Sequence, residues 1–284
     1  ANGTLTFTGN NQTSTSTLTG SGAILNSTAN TIVITGDHTG FNGSFIHSAA
    51  ANNTQFNSSV SASQNASYTL SAGEIIFAAS GDYTVKFGSL ASAAGTIRGG
   101  NTATGTTTVE VGNLGSDSVI AGNFNNGATK VLSLQKVGAG TLTLNGGANY
   151  TGATVVNAGT LAFGITAKTL GGSTFTVADG AGLSVKAAAA GTTMLPTSSL
   201  TLGASTLTFD FNTLNPTVPQ ITTGDLTLNG ALSMSFLNTI ALGTGTYKLI
   251  DYATLSGTGT LPGGSFSVGN RANATIVDNT LDTS

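Results

Sequence analysis

The chain has no cysteine and no tryptophan, few prolines (4 in 284 residues) and very little charge, 7% Asp, Glu, Lys and Arg together. An ordinary soluble domain carries roughly 25%. Without cysteine no disulfide can hold the fold, so packing and hydrogen bonding must supply all of its stability. With 2 histidines and no thiol, the usual zinc ligand sets are excluded as well. Lys and Arg, 8 in all, are scattered singly from Lys86 to Arg271 and form no basic stripe, which argues against nucleic acid as a partner. No run of about 18 apolar residues exists, so no membrane-spanning helix is expected. An outer-membrane barrel needs strands of about 9–11 residues and aromatic girdles, whereas the apolar runs here are roughly four to six long. Membrane insertion by this segment is therefore not expected.

What the chain does have is glycine, 40 residues of it, with abundant Ser, Thr and Asn. Such a composition suits a disordered chain, but the apolar residues fall in short alternating runs that disordered chains lack. The clearest case is 134–162. Gly138 and Gly140 lead into Thr141-Leu142-Thr143-Leu144; Asn145-Gly146-Gly147 breaks that strand, and Tyr150-Thr151-Gly152 leads into Val155-Val156. After Asn157-Ala158-Gly159 the alternation returns as Thr160-Leu161-Ala162-Phe163. From Leu142 to Leu161 is 19 residues, room for one coil of short strands and turns. One coil cannot bury its own apolar face and must stack on copies of itself. The expectation is an all-β chain, a right-handed parallel β-helix of roughly 20 residues per coil, with about 13 coils in a rod of about 60 Å.

The same stretch resembles the passenger-associated repeat of bacterial autotransporters. The match is carried by Lys136, Gly138, Gly140, Thr141, Leu142, Leu144, Asn149, Tyr150, Thr151, Gly152, Thr154, Val156, Gly159 and Leu161. A second resemblance, to the segment found late in many passengers, lies in Tyr247-Lys248-Leu249-Ile250-Asp251-Tyr252 with its preceding glycines at 243–245. The translocation barrel that follows such segments is not among these residues, so a cleaved passenger, a fragment or a relative exported another way is expected. The resemblance implies a location outside the cell or on the surface of a Gram-negative bacterium. It implies a structural unit and no chemistry.

Three regions are read: N-terminal coils over 1–130 with a looser insertion at 48–72, the repeat at 131–163, and C-terminal coils over 164–284 ending in the passenger-like segment. Pro196, Pro216 and Pro219 suggest that 196–219 bulges out of the coil. Leu207 to Leu226 and Phe209 to Leu228 repeat the 19-residue spacing and are expected to be further coil steps.

Catalysis has little to draw on. His38 lies in a turn-like run and His47 ends a strand, so solvated or structural roles are expected for both. Ser116-Asp117-Ser118 lacks a nucleophile elbow and reads as a polar turn. Asp210, Asp225 and Asp251 could approach one another on neighbouring coils and serve polysaccharide cleavage, the competing enzymatic reading. No calcium nonapeptide occurs; Asp117 and Asp179 are lone acids expected in turns. No metal or cofactor is expected. The Thr-x-Thr runs (Thr4 and Thr6, Thr17 and Thr19, Thr141 and Thr143, Thr206 and Thr208) leave a third class, an ice-binding solenoid, though exposed strands favour Thr in any case. The favoured reading is non-catalytic: a rigid stalk, an adhesin or a self-associating filament subunit. Its partners would be copies of itself, head to tail or lateral, or surface glycans and proteins.

Overall fold

The computed structural model describes residues 3–7, 11–27, 31–239, 242 and 246–262, and the backbone of 265–268 and 271–275. Residues 243–245, which open the passenger-like segment read above, lie outside the described residues. Among those described there is no α-helix, and the chain winds as a parallel β-solenoid.

The longest sheet, sheet A, stacks eleven strands: β1 (Thr4–Thr6), β3 (Ala23–Asn26), β5 (Ser44–His47), β7 (Ser67–Leu70), β10 (Ser89–Ser92), β13 (Ser118–Ile120), β16 (Thr141–Leu144), β19 (Thr160–Phe163), β21 (Gly182–Lys186), β23 (Thr206–Asp210) and β25 (Ser233–Leu237). Sheet B stacks β2 (Gln12–Ser14), β4 (Ile32–Ile34), β6 (Asn53–Phe56), β8 (Glu74–Phe77), β11 (Thr96–Gly99), β14 (Asn123–Asn125) and β17 (Ala148–Asn149). Sheet D stacks β9 (Tyr83–Phe87), β12 (Gly105–Val111), β15 (Lys130–Lys136), β18 (Thr154–Val156), β20 (Thr174–Val177), β22 (Leu195–Leu202), β24 (Ile221–Leu228) and β26 (Ile250–Gly257). A separate antiparallel pair joins β27 (Ser265–Val268) and β28 (Arg271–Thr275).

The cross-section changes along the stack. N-terminal coils use sheets A and B, the middle coils use all three, and C-terminal coils use A and D. Turns and loops at 37–43 and 57–66 stand where sheet D will begin, and loops at 187–194 and 211–220 stand where sheet B has ended.

Coils average about 24 residues, longer than the expected 20. The steps on sheet A run from 19 (Thr4 to Ala23) to 28 (Ser92 to Ile120). Corner loops of variable length account for the difference, and eleven strands at about 4.8 Å make a stack of about 50 Å. Leu142 does pair with Leu161. Leu207 pairs with Met234, however, and Leu226 with Leu200 and Leu255. The spacings Leu207–Leu226 and Phe209–Leu228 therefore join different sheets within one coil, not equivalent positions.

The 48–72 stretch, expected to be looser, carries β6 and β7, with Thr54, Phe56, Tyr68 and Leu70 all buried. Pro196 lies within β22, paired with Thr222 on one side. On the other side β20 reaches only to Ser199, so no partner there requires the missing N–H.

Strict alternation builds the interior. Ile24, Phe45, Tyr68 and Leu90 form one inward column of sheet A, and Leu142, Leu161, Leu183 and Leu207 continue it further along. Rings of Phe45, Phe56, Tyr68 and Phe87 interlock across the three sides, with Tyr68 and Phe87 4.8 Å apart edge to face. This is the dry core that lets a chain of such low charge fold without disulfides.

Candidate functional site

The residues of the repeat gather at two corners and one ladder. Leu142 and Leu144 in β16 and Leu161 in β19 are fully buried in the sheet A ladder. Tyr150, Thr151 and Gly152 form the corner leading into β18. The Tyr150 ring is buried against Phe124 at 5.2 Å, and its hydroxyl bonds Thr154 Oγ1 at 2.7 Å. Burial raises the phenol's pKa. Ser173 Oγ donates to the Tyr150 carbonyl at 2.6 Å, Asn126 Nδ2 donates to Thr151 Oγ1 at 2.9 Å, and Gly152 N–H donates to the Leu132 carbonyl at 3.0 Å. Each of these bonds ties one coil to a neighbour.

Lys136, Gly138 and Gly159 meet at the opposite corner. Gly138 and Gly159 take φ of +67° and +64°, and a Cβ on Gly138 would stand 2.0 Å from the Gly112 carbonyl oxygen. Only glycine fits where stacked turns approach so closely. Lys136 ends β15 on its inward side, between Val111 and Val156 of the adjacent strands, and is 1% exposed. Its Nζ donates to the carbonyls of Val137 and Gly138, both at 2.7 Å, and of Ala158 at 3.2 Å. Burial pushes the ammonium's pKa down to about 8, partly opposed by Asp117.

Two further lysines act alike and were not anticipated. Lys130 Nζ donates to the carbonyls of Gly81 and Thr104 and sits 4.5 Å from the centre of the Tyr83 ring. Lys168 Nζ donates to the Gly146 carbonyl, and burial pushes its pKa down to about 8. The signal was present: in β15, Lys130 and Lys136 share the parity of the buried Leu132 and Leu134.

The lone acids complement these cations. Asp82, Asp117 and Asp179 each accept, at 2.7 Å, the backbone N–H of a residue one coil on: Thr106, Thr141 and Ala204. The expectation of polar turns holds for their location but misses this cross-coil bond. Corner carbonyls are thus closed by lysine and corner amides by aspartate, and the carbonyls would otherwise face the interior unpaired.

Both histidines are buried. His47 Nδ1 meets Asn26 Nδ2 at 3.0 Å and Thr54 Oγ1 at 2.9 Å; its Nε2 meets the carbonyls of Ala49 and Asn52 at 3.1 and 3.2 Å. These partners place the proton on Nε2. Burial holds both imidazoles below their ordinary pKa, so each is neutral near pH 7. His38 N–H donates to the Val60 carbonyl. These are structural roles, not solvated ones.

The three acids of the enzymatic reading each hold a separate partner, Asp210 in sheet A and Asp225 and Asp251 on the paired strands β24 and β26. Asp210, in sheet A, pairs with Lys186 at 3.5 Å. Asp225, in sheet D, accepts from Thr254 Oγ1, and Asp251 pairs with Lys248 at 3.4 Å. Among the described residues no group of three or more His, Asp or Glu could hold a metal, and no helix is long and apolar enough to cross a membrane. The Thr-x-Thr pairs of β1, β16 and β23 all stand on sheet A, but their columns are interrupted by Ala23, Leu25, Ile46 and Val119. Thr17 and Thr19 lie outside the named strands.

Residues 134–163 match the family model of the passenger-associated-transport-repeat. No curated protein and no solved structure matches the chain. The repeat and the parallel solenoid around it fit the passenger domain of an autotransporter.

Proposed function

We propose that this chain is a non-catalytic, surface-displayed passenger of a Gram-negative bacterium, acting as a rigid stalk that carries adhesive contacts. The observation that carries the reading is the unbroken stack of eleven sheet A strands, sealed at its corners by buried Lys130, Lys136 and Lys168. Such a stack is stiff because each coil is bonded to both neighbours. The separate engagement of Asp210, Asp225 and Asp251 favours it over polysaccharide cleavage.

Adhesion would fall to corner loops, and the loop at 211–220 is the best candidate. Asn212 and Thr213 hold φ of 49° and 58° there, and nearby Asn238 holds 51°. Such backbone is costly for residues other than glycine and clusters at contact sites. Asp210 fixes it, accepting from Asn212 N–H at 2.8 Å and Asn238 Nδ2 at 2.7 Å. The partners expected are surface glycans or proteins.

Small-angle scattering tests the stalk: the profile should give an elongated particle with a stack length of about 50 Å, and a globular envelope would overturn it. Arrays of immobilised glycans and extracellular proteins test the adhesin. Binding lost on grafting a short glycine turn in place of 212–218 supports it. Release of reducing ends from any polysaccharide offered would instead favour the enzymatic alternative.

A further inference from the structure

Sheet D begins at β9, and no strand pairs with that strand's other edge. The first residue of β9, Tyr83, is therefore only partly covered. Among the described residues the other aromatic rings that escape burial lie in the first coil (Phe7) or the last (Phe236, Tyr247, Tyr252). Tyr83 is the one such ring in the body of the stack. It is held in place from within: its hydroxyl donates to the Phe56 carbonyl at 3.3 Å, and buried Lys130 sits 4.5 Å from the ring centre.

A shallow depression of about 350 Å³ opens beside this ring, lined by Asp82, Tyr83, Thr84, Thr106 and Thr108. Thr84 and Thr108 are register partners on β9 and β12, both on the outward side. Asp82 is fixed by accepting the Thr106 N–H through Oδ1 at 2.7 Å. Its Oδ2 has no partner in the chain, and neither have the hydroxyls of Thr84, Thr106 and Thr108. Four polar groups and one ring thus converge on one depression with their bonding capacity unspent.

We propose that this depression is a subsite for a neutral glycan. The proposal rests on the adhesive reading above and gives it a ligand class and a second location, apart from the loop at 211–220.

The chemistry of the lining selects the ligand. An anion would meet Asp82, while the cations nearby are committed, Lys86 to Glu110 at 3.5 Å and Lys130 to buried carbonyls. A metal ion would find a single carboxylate, since among the described residues no three His, Asp or Glu gather. An apolar ligand would bury the threonine hydroxyls without partners. A neutral sugar meets every demand: its hydroxyls donate to Asp82 and exchange bonds with threonines that both donate and accept, and its C–H face rests on the Tyr83 ring. The volume is near the lower end of small-ligand sites, room for roughly one or two sugar rings.

The test is saturation-transfer NMR and titration calorimetry of the full chain, with thermal melts confirming that each variant is folded. The probes are the tetrasaccharides of cellulose, xylan, mannan, laminarin and chitin, with tetragalacturonate as the charged comparison. At least one neutral tetrasaccharide should bind, and more tightly than tetragalacturonate. Thr84→Val with Thr108→Val keeps the shape, removes two hydroxyls and should weaken binding about tenfold or more. Thr176→Val with Thr201→Val, the same change at register partners further along sheet D, should leave it unchanged. Because the chain is free of cysteine, Thr108→Cys capped with a bulky maleimide gives a second readout: it should abolish binding, and capped Thr176→Cys should not.

Binding by none of the neutral probes overturns the proposal, as does a preference for tetragalacturonate or equal loss in both threonine pairs. Binding that is lost on replacing 212–218 but indifferent to Thr84 and Thr108 also overturns it, while leaving the adhesive reading intact. Capture of extracellular proteins through that loop would likewise survive the failure of this site.

Discussion

Lys136 and Ala158 lie on successive coils, and the lysine ammonium, sunk among valines, donates to the Ala158 carbonyl at 3.2 Å while also holding those of Val137 and Gly138. Lys136→Met keeps the volume and removes every donor. It should cost about 1–3 kcal/mol, because a buried acceptor left unpaired loses its hydration without compensation. Lys86→Met, at a half-exposed ion pair, should change stability by no more than about 0.5 kcal/mol. Urea midpoints of the two variants give the comparison.

Stability should climb as pH rises from about 8 towards 10. Lys136 and Lys168 titrate near 8 in the folded chain against an ordinary value of 10.5. Between those values the unfolded chain binds more protons, so raising pH favours folding; the gain is fully present above 10.5 and lost as pH falls to about 8. Tyr68 and Tyr150 act oppositely, since burial raises both and the unfolded chain loses phenol protons first above pH 10. At the acid end the depressed values of His38 and His47 mean that stability is lost as pH falls below 6.5. Urea midpoints across pH 5 to 11 should therefore peak near pH 10, and a flat curve between 8 and 10 would contradict the burial of the lysines.

Two glycines of nearly equal backbone conformation separate strain from crowding. Gly115→Ala, at φ +69° with nothing near a new Cβ, should cost about 1–2 kcal/mol from its left-handed conformation alone. Gly138→Ala, at φ +67°, adds a collision with the Gly112 carbonyl and should be clearly the more destabilised. Equal thermal shifts would mean that the stacked turns are not so close.

The aromatic cluster should be the stability centre of the N-terminal coils. Phe56 contacts Phe45, Tyr68 and Phe87, and Phe56→Ala should cost about 3–5 kcal/mol. Tyr68→Phe keeps the ring but strands the Ser63 N–H, which donates to the Tyr68 hydroxyl at 2.8 Å, and should cost about 1–3 kcal/mol. Hydrogen exchange at Ser63 should quicken in that variant.

Much of the architecture was legible in the residues themselves. Period-two alternation identified the strands, glycine marked the turns, and Leu142 to Leu161 revealed a true coil step. Burial of Lys130 and Lys136 in β15, and of Asn26 and His47 on sheet A, was equally open to a parity argument, since each sits at a strand end and shares the inward parity of the apolar residues beside it. What misleads is the assumption that charge and polarity mark the outside.

The sequence alone determined that this chain would be a stack of short parallel strands, because local alternation and glycine placement are properties of neighbouring residues. Only the tertiary structure decided which strands share a sheet, where sheets B and D begin and end, and that Asp210, Asp225 and Asp251 each take a separate partner. Those outcomes depend on register between coils, and register depends on loop lengths from one corner to the next. A loop longer by a few residues re-addresses every strand after it while leaving its alternation unchanged, so no local pattern could report it.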